Sequence, residues 1–507
     1  MVLRRELLRT GASVPLVLAL NSGASAANVP APPTPFNADT VRGLAKQLAS
    51  QPFKPPDTTL PSALEKLSYS QYRSIRFNPD HALWGGQGLN FNVQLFHRGF
   101  LYKDRVDLFQ VVNGQAQPIQ YNPTLFIFGK LQPPSGDIGY AGFRLHFPLN
   151  RLDYFDEVCA FLGASYFRAL ARGQGYGLSA RGLAINTAES SGEEFPVFRT
   201  FWLEQPAKGA NAMTVHALLD SKSCAGAFRF VIAPGQDTIF DTQCAIYPRV
   251  DMPTVGLAPL TSMFFFGAND HANADDWRAA VHDSGGLALH TGQDQRIWRP
   301  LINPHALQIS SFSDVGPRGF GLMQSPREFV YYQDLEAHYE KRPSLWIEPQ
   351  GNWGPGVVEL VEIPSNKEVN DNIVAFWRPH DPLKAKSENK LAYRMHWCWT
   401  DPHPGPVAHV VQTRAGLAWN GTDRQFVIDF AGAPLDAWTK PAAPALDVGT
   451  DKGKIVSAVA ERNPNIHGWR VSIQLATNNE KVVELHARMM DGEQPLTETW
   501  IARWTAS

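Results

Sequence analysis

Two aspartates stand where a carboxylate could give or take a proton at a bound substrate. Asp283 lies in Val281-His282-Asp283-Ser284-Gly285-Gly286, where a helical pattern runs into a glycine pair. Asp371 lies in Glu368-Val369-Asn370-Asp371-Asn372, directly before the apolar run Ile373–Trp377. Both sit at element ends, from which side chains can project off a rigid scaffold into a groove. The same position suits a turn aspartate that caps its own backbone. Between them the chain is thick with Trp, Tyr and Arg: Trp298, Arg299, Arg327, Tyr332, Tyr339, Arg342, Trp346 and Trp353. Aromatic faces stack on sugar rings and Arg donors bind hydroxyls, so this composition fits a carbohydrate groove, and it fits a sandwich core equally well.

Other chemistries lack their motifs. There is no G-x-S-x-G elbow, since Gly177-Leu178-Ser179-Ala180-Arg181-Gly182 has the wrong spacing. H-E-x-x-H, a Walker A loop and a dinucleotide G-x-G-x-x-G are all missing, and the histidines do not pair at metal-ligand spacings. The sequence therefore calls for no metal and no cofactor. With 46 Lys and Arg against 48 Asp and Glu, the net charge of −2 offers no basic footprint for nucleic acid. Charged residues are 19% and aromatics 11%, the reverse of a disordered chain. No apolar run reaches the ~18 residues of a membrane-spanning helix.

The elements that must position these residues are mainly strands. Leu89, Phe91, Val93 and Leu95 alternate with Asn90, Asn92 and Gln94, the period of a half-buried strand. Ala227–Ile232, Val357–Ile363 and Asn372–Trp377 repeat the pattern, and many such runs end in Gly, Pro or Asn. Helical spacing is predicted for Val41, Leu44 and Leu48 behind the caps Asn37 and Asp39, for a short helix at Leu64 and Leu67, around Asp153–Leu162, and around Asn273–Val281. Many short strands with punctuating turns imply an all-β sandwich or barrel. The polar stretch 378–390, with two prolines and no apolar stripe, reads as a linker. Beyond it, about 115 residues hold several alternating runs, among them Phe426–Phe430, Trp469–Leu475 and Val483–Met489, which suit an Ig-like sandwich of about seven short strands, without its Cys…Trp…Cys hallmark. The expected division is 27–388 for a large β-sandwich that binds substrate and 389–507 for the smaller one.

Residues 1–26 read as a secretory leader: Arg4-Arg5, a short apolar stretch Val14–Leu20, and the small-x-small site Ala24-Ser25-Ala26. The arginine pair suggests the twin-arginine variant and a periplasmic destination. A Cys224–Cys244 bridge is conceivable across a hairpin, but a chain folded before export argues against it.

Several longer motifs make the chain recognisable. Gly142-Phe143-Arg144-Leu145-His146, Phe161–Arg168, Gly175–Gly182 and Gly192–Pro196 come first. Trp298–Pro304, Gly319–Gln324, Arg342–Trp346, Trp353–Gly356, Glu362–Pro364 and Asn370–Trp377 follow in order. Together they resemble the periplasmic glucan biosynthesis proteins of the G/D type, over the span from near Tyr72 to Trp504, and the twin-arginine leader points to the D member. Ser325-Pro326 departs from that pattern where a basic residue is expected.

The resemblance implies a galactose-mutarotase-like N-terminal β-sandwich joined to an Ig-like one, and a substrate of β-1,2-linked glucose in osmoregulated periplasmic glucan. It implies an anomer-inverting hydrolase or transglycosylase whose two essential aspartates fall on Asp283 and Asp371. Such cleavage needs a proton for the leaving oxygen and a base for water on the opposite face. Asp371 is then the expected acid, Asp283 the base and Glu368 a helper, although sequence does not order the two aspartates. Substrate contacts are expected from Trp298, Arg299, Arg327, Tyr332, Tyr339, Arg342, Trp346 and Trp353. A homodimer and the glucan-synthesis machinery at the inner membrane are the candidate protein partners. A non-catalytic glucan-binding scaffold is the alternative function.

Overall fold

In the computed structural model, residues 32–271 and 274–506 are described; the leader 1–26, and with it the twin-arginine reading, lies outside them. Two large antiparallel-rich sheets face each other. The first runs from Asp107–Val112 through Val197–Glu204, Met213–Asp220, Cys224–Ala233, Thr238–Pro248, Asn389–Cys398, Ser344–Gln350, Gly319–Met323 and Gly286–His290 to Arg296–Pro300. The second orders Gln308–Val315, Pro355–Glu362, Ile373–Pro379, Val255–Ser262, Ser179–Arg181, Tyr166–Ala169, Tyr154–Leu162, Tyr140–Arg151 and Asn92–His97. Phenylalanines projecting from both sheets fill the space between: Phe161 stacks on Phe143 at 5.1 Å and on Phe167 at 5.0 Å, edge-on to Phe201 at 5.3 Å. Each such ring, once buried, stabilises the fold by about 1.5–3 kcal/mol.

The helix Ala38–Ala49 forms as its cap predicts. Asn37 accepts hydrogen bonds from the Asp39 and Thr40 amides, and Val41 and Ala45 bury against Trp202, Ala227 and Tyr247 on the outer face of the first sheet. Leu64 and Leu67 are buried, but only the single turn Ser62–Glu65 is helical.

Two expected helices are absent. Residues 154–162 form a strand, and the reason is a bulge: Leu145 pairs with Cys159 but His146 with Glu157, so Val158 is extra and both Val158 and Cys159 are buried. That doubling breaks the alternation and imitates a 3–4 spacing. Over 274–281, Asp276 accepts from the Arg278 amide, a local bond that competes with helix formation. Only Val281–His282 is regular there, as a strand pairing with Phe264–Phe266.

The stretch 378–390 is no linker between units. It crosses from Ile373–Pro379 in the second sheet to Asn389–Cys398, which lies hydrogen-bonded between Thr238–Pro248 and Ser344–Gln350 in the first. A surface crossover and an interdomain linker share the same polar, proline-bearing composition. Residues 389–398 therefore belong to the large sandwich, and the chain passes to the second unit through 399–408. There His409–Leu417, Arg424–Ala431, Gly468–Ala476 and Lys454–Asn463 form one sheet, packed against Thr499–Thr505, Val482–Asp491 and Ala445–Thr450. The second group continues the first large sheet, because Ile297 and Trp298 pair in parallel with Thr499 and Trp500. All four cysteines are free and buried; Cys224 stands opposite Pro248 and Cys244 opposite Phe228, too far out of register to bridge.

Candidate active site

Asp283 leaves the short strand Val281–His282 just before the chain enters Gly286–His290. Its amide donates to the Met263 carbonyl at 2.8 Å, and the next residue, Ser284, shares a hydroxyl bond with Ser262 at 2.8 Å. The two glycines are steric necessities. A Cβ at Gly285 would sit 2.2 Å from the Ser325 carbonyl oxygen, and one at Gly286 would sit 2.3 Å from the Trp298 ring. The aspartate is thus held by backbone on both sides.

Its carboxyl is buried, only 6% of the residue being exposed. Burial pushes its pKa from 3.8 up to about 6; Arg342 opposes this, and the negative charges of Asp371 and Glu368 add to it. Arg342 Nη1 lies 3.2 Å from Oδ1, but without hydrogen-bond alignment, so that oxygen has no hydrogen-bond partner. Arg342 is itself fixed by a bond from Nε to the Ala337 carbonyl and by its stack over Tyr339, 5.0 Å from the ring centre.

Asp371 arrives from the opposite sheet, at the end of the loop between Pro355–Glu362 and Ile373–Pro379. The side chain of the following Asn372 is buried and fully used: Oδ1 accepts from the Phe264 amide at 2.9 Å, and Nδ2 donates to the Phe264 and Ile363 carbonyls. Asp371 itself stays partly open to solvent, with Arg168 Nη2 3.6 Å from Oδ2. Arg168 is aimed by its Nε bond to Ser179 Oγ at 2.6 Å. Glu368, three residues earlier, accepts from Arg278 Nη2 at 2.7 Å, and Arg278 also holds Asp276 and Asp334. Beside it Trp277 is 75% exposed. Three carboxylates thus meet in one field, each with its own arginine.

Behind Asp283, His282 packs flat on Phe264 and meets Gln324 Oε1 at 2.8 Å through Nδ1; burial pushes its pKa down to about 4, so it is neutral. Gln324 Nε2 donates to the carbonyls of His282 and Tyr339, tying the Asp283 strand to the turn that carries Arg342.

Of the eight expected substrate contacts, Tyr339 and Arg342 stand at the carboxylates, and Tyr339 feels the charge of both Glu368 and Asp283. Tyr332 lies just behind them, edge-on to His282 at 5.2 Å, and the rest are placed elsewhere. Tyr332 is fully buried, its hydroxyl donating to the Pro326 carbonyl. Arg327 spends its guanidinium on the Trp399, Glu340 and Arg342 carbonyls and on Ser344 Oγ. Trp298 and Trp346 pack in the core shared with the second unit. Arg299 is buried against Glu362 at 3.2 Å. Trp353 lines a separate cavity of about 750 Å³ with Arg42 and His216. Sequence reasoning did not single out Arg168 and Arg278, which the structure brings to Asp371 and Glu368, nor the exposed Trp277 beside Arg278. Arg168 closes one of the family motifs, and Asp276-Trp277-Arg278 sat inside the stretch read as a helix.

Residues 36–504 match the family described as "Periplasmic glucan biosynthesis protein, MdoG". "Glucans biosynthesis protein G" of Rhodopseudomonas palustris strain BisA53 is 52% identical over 99% of both chains. The protein of that name from Bradyrhizobium diazoefficiens is 51% identical over 99% of both, and that of Vibrio cholerae strain O395 is 48% identical over 93% of this chain and 87% of its own. These relatives carry the G name, so the expected likeness to the D member finds no support in them. A solved chondroitinase AC lyase, from enzyme–oligosaccharide complexes, aligns over 82% of this chain and 51% of its own at 12% identity and a TM-score of 0.20, a fit too poor to bear on fold or function.

Proposed function

Since the chain belongs to the MdoG family of periplasmic glucan biosynthesis proteins, we propose that it sets glucan backbone length by cleaving β-1,2-linked glucose chains, with water or a second sugar as acceptor. The observation that carries this reading is the meeting of Asp283 and Asp371: two carboxylates from opposite sheets, electrostatically coupled, one buried and one open. A protein that only binds glucan needs aromatic platforms and has no use for a buried carboxyl held near neutrality.

The environment of Asp283 orders the pair. Asp283, with its pKa lifted to about 6 and Arg342 alongside, is mostly a carboxylate at neutral pH yet far more basic than an ordinary aspartate. That suits a general base, whose best pKa lies near the working pH. It takes a proton from the attacking water or sugar hydroxyl. Asp371, at the open side of the site, is left by elimination as the carboxyl that delivers a proton to the leaving glycosidic oxygen, with Glu368 held nearby by Arg278. Acid and base on opposite faces of the sugar invert the anomeric centre.

The test is incubation of the protein and its Asp371→Asn variant with linear β-1,2-glucan, following product size and anomeric form. Shortened or cyclised glucan from the wild type alone, with the α-anomer released first, supports the enzyme. If both proteins bind the glucan and neither alters it, the scaffold reading replaces it.

A further inference from the structure

Away from the carboxylates, the outer face of the first sheet gathers a second set of chemical groups. Glu348 on Ser344–Gln350 and His396 on the neighbouring strand Asn389–Cys398 point to the same side, because His396 stands opposite Trp346 and Glu348 opposite Arg394. His403 joins them from the segment 399–408 that carries the chain to the second unit. The Nε2 atoms of His396 and His403 lie 2.9 and 3.2 Å from the same Glu348 oxygen, Oε2, and the three donor atoms all fall within 4.8 Å of one another.

This convergence is more than a surface cluster. His396 is buried and Glu348 three-quarters buried on a rigid pair of strands, while His403 stays half exposed at the mouth. The cation in reach of Glu348, Arg394, is taken by Asp241 at 2.7 Å. The His403 backbone is itself anchored, its amide donating to Asp401, which in turn pairs with Arg296 at 2.8 Å. Two imidazole nitrogens and one carboxylate oxygen are a borderline-soft donor set, the kind zinc takes with three protein ligands and a water in the fourth position.

We propose that Glu348, His396 and His403 form a zinc-type divalent metal site that fastens the 399–408 segment to the large sheet. On binding, each neutral imidazole carries its proton on Nδ1 and turns the Nε2 lone pair to the metal, replacing the two bonds now made to Oε2. The open fourth position faces the mouth beside His403. Its place at the passage between units makes the metal a clip on their relative seating rather than a part of the carboxylate site. Sequence spacing could not announce it, since the ligands come from residues 348, 396 and 403, the first two brought together by strand pairing and the third by the path of the 399–408 segment.

The full chain, stripped with chelator, exposed to zinc and desalted, should retain one zinc per chain. Cobalt(II) in its place should give the visible absorption of a four- or five-coordinate ion. His403→Ala, half exposed and outside the packed core, should lower zinc affinity at least about tenfold with an unchanged circular dichroism spectrum. Glu348→Gln should do the same, and His380→Ala, an exposed histidine elsewhere, should not. Zinc should also slow proteolysis within 399–408 in the wild type and not in His403→Ala. Failure to retain zinc, or equal retention by wild type and His403→Ala, overturns the proposal.

Discussion

Asn372 and Phe264 are bonded in both directions, the Phe264 amide donating to Asn372 Oδ1 at 2.9 Å and Asn372 Nδ2 donating back to the Phe264 carbonyl at 3.0 Å. This reciprocal pair joins the loop that ends in Asp371 to the segment whose Met263 carbonyl holds the Asp283 amide. One buried amide side chain therefore fixes the spacing between the two catalytic candidates. Asn372→Ala leaves buried backbone groups without partners and should lower stability by about 1–3 kcal/mol. Turnover should fall further than the stability loss explains, since an error of ~1 Å between reacting groups is worth about a hundredfold. Urea unfolding and glucan turnover measured on the same variant separate the two effects.

Asp283 makes stability depend on pH in a defined direction. Its folded pKa, about 6, lies above its ordinary 3.8, so the folded state holds the proton more tightly than the unfolded one. The contribution is fully present below about pH 4 and is lost as pH rises through about 6. Two units correspond to roughly 3 kcal/mol. The stability of the wild type relative to Asp283→Asn should fall by an amount of that order between about pH 4 and pH 7, read from urea midpoints at each pH.

The same group orders the acid and the base. As the base, Asp283 must be ionised, so kcat/KM should rise with pH through an apparent pKa near 6. If Asp283 were instead the acid, the profile would fall through that value. Asp283→Asn and Asp371→Asn should each lower kcat by about 10²–10⁴-fold while leaving glucan affinity within a few-fold.

Arg278 is expected to act on catalysis through Glu368. Arg278→Gln frees Glu368, Asp276 and Asp334 together. Turnover per folded molecule should drop by about 10-fold or more with little change in KM; an unfolded fraction lowers apparent kcat in the same way, so urea unfolding of the same preparation supplies the folded fraction by which the rate is divided.

Arg299 provides the contrary case. Buried against Glu362, with both side chains almost wholly enclosed, it should reveal itself in stability rather than binding. Arg299→Ala leaves Glu362 as an uncompensated buried charge and should destabilise the protein by about 3–5 kcal/mol. Glucan affinity of the folded fraction should be unchanged. Denaturation and equilibrium binding on one preparation check both halves.

The contrast between Arg299 and Arg342 shows what the sequence could and could not reveal. Strand alternation exposed the sandwich, because period 2 is a local property of the chain, and the caps of Ala38–Ala49 were equally local. The bulge at Val158 and the bonds around Arg278 were not, since each depends on a partner strand or a side-chain competitor invisible to a periodicity count. For the candidate site, motif and position singled out the two aspartates that the structure brings into one electrostatic field. Nothing in the aromatic and arginine runs told a residue beside the carboxylates from one packed elsewhere: Arg342 and the buried Tyr339 reach the carboxylates, whereas Trp298, Trp346, Arg299 and Arg327 of the same composition are turned away. That choice is made by the face each strand presents, a long-range outcome of pairing.

The parallel pairing of Ile297 and Trp298 with Thr499 and Trp500 also has a temporal side. The two strands are separated by about two hundred residues, a contact of very high sequence separation. At roughly 5–20 residues per second, the ribosome delivers the later strand on the order of 10–40 seconds after the earlier one. Through that interval the nascent chain carries Arg296–Pro300 as an open, aromatic-bearing sheet edge, a template for intermolecular pairing. The rate of translation therefore sets the shortest time for which that edge is at risk.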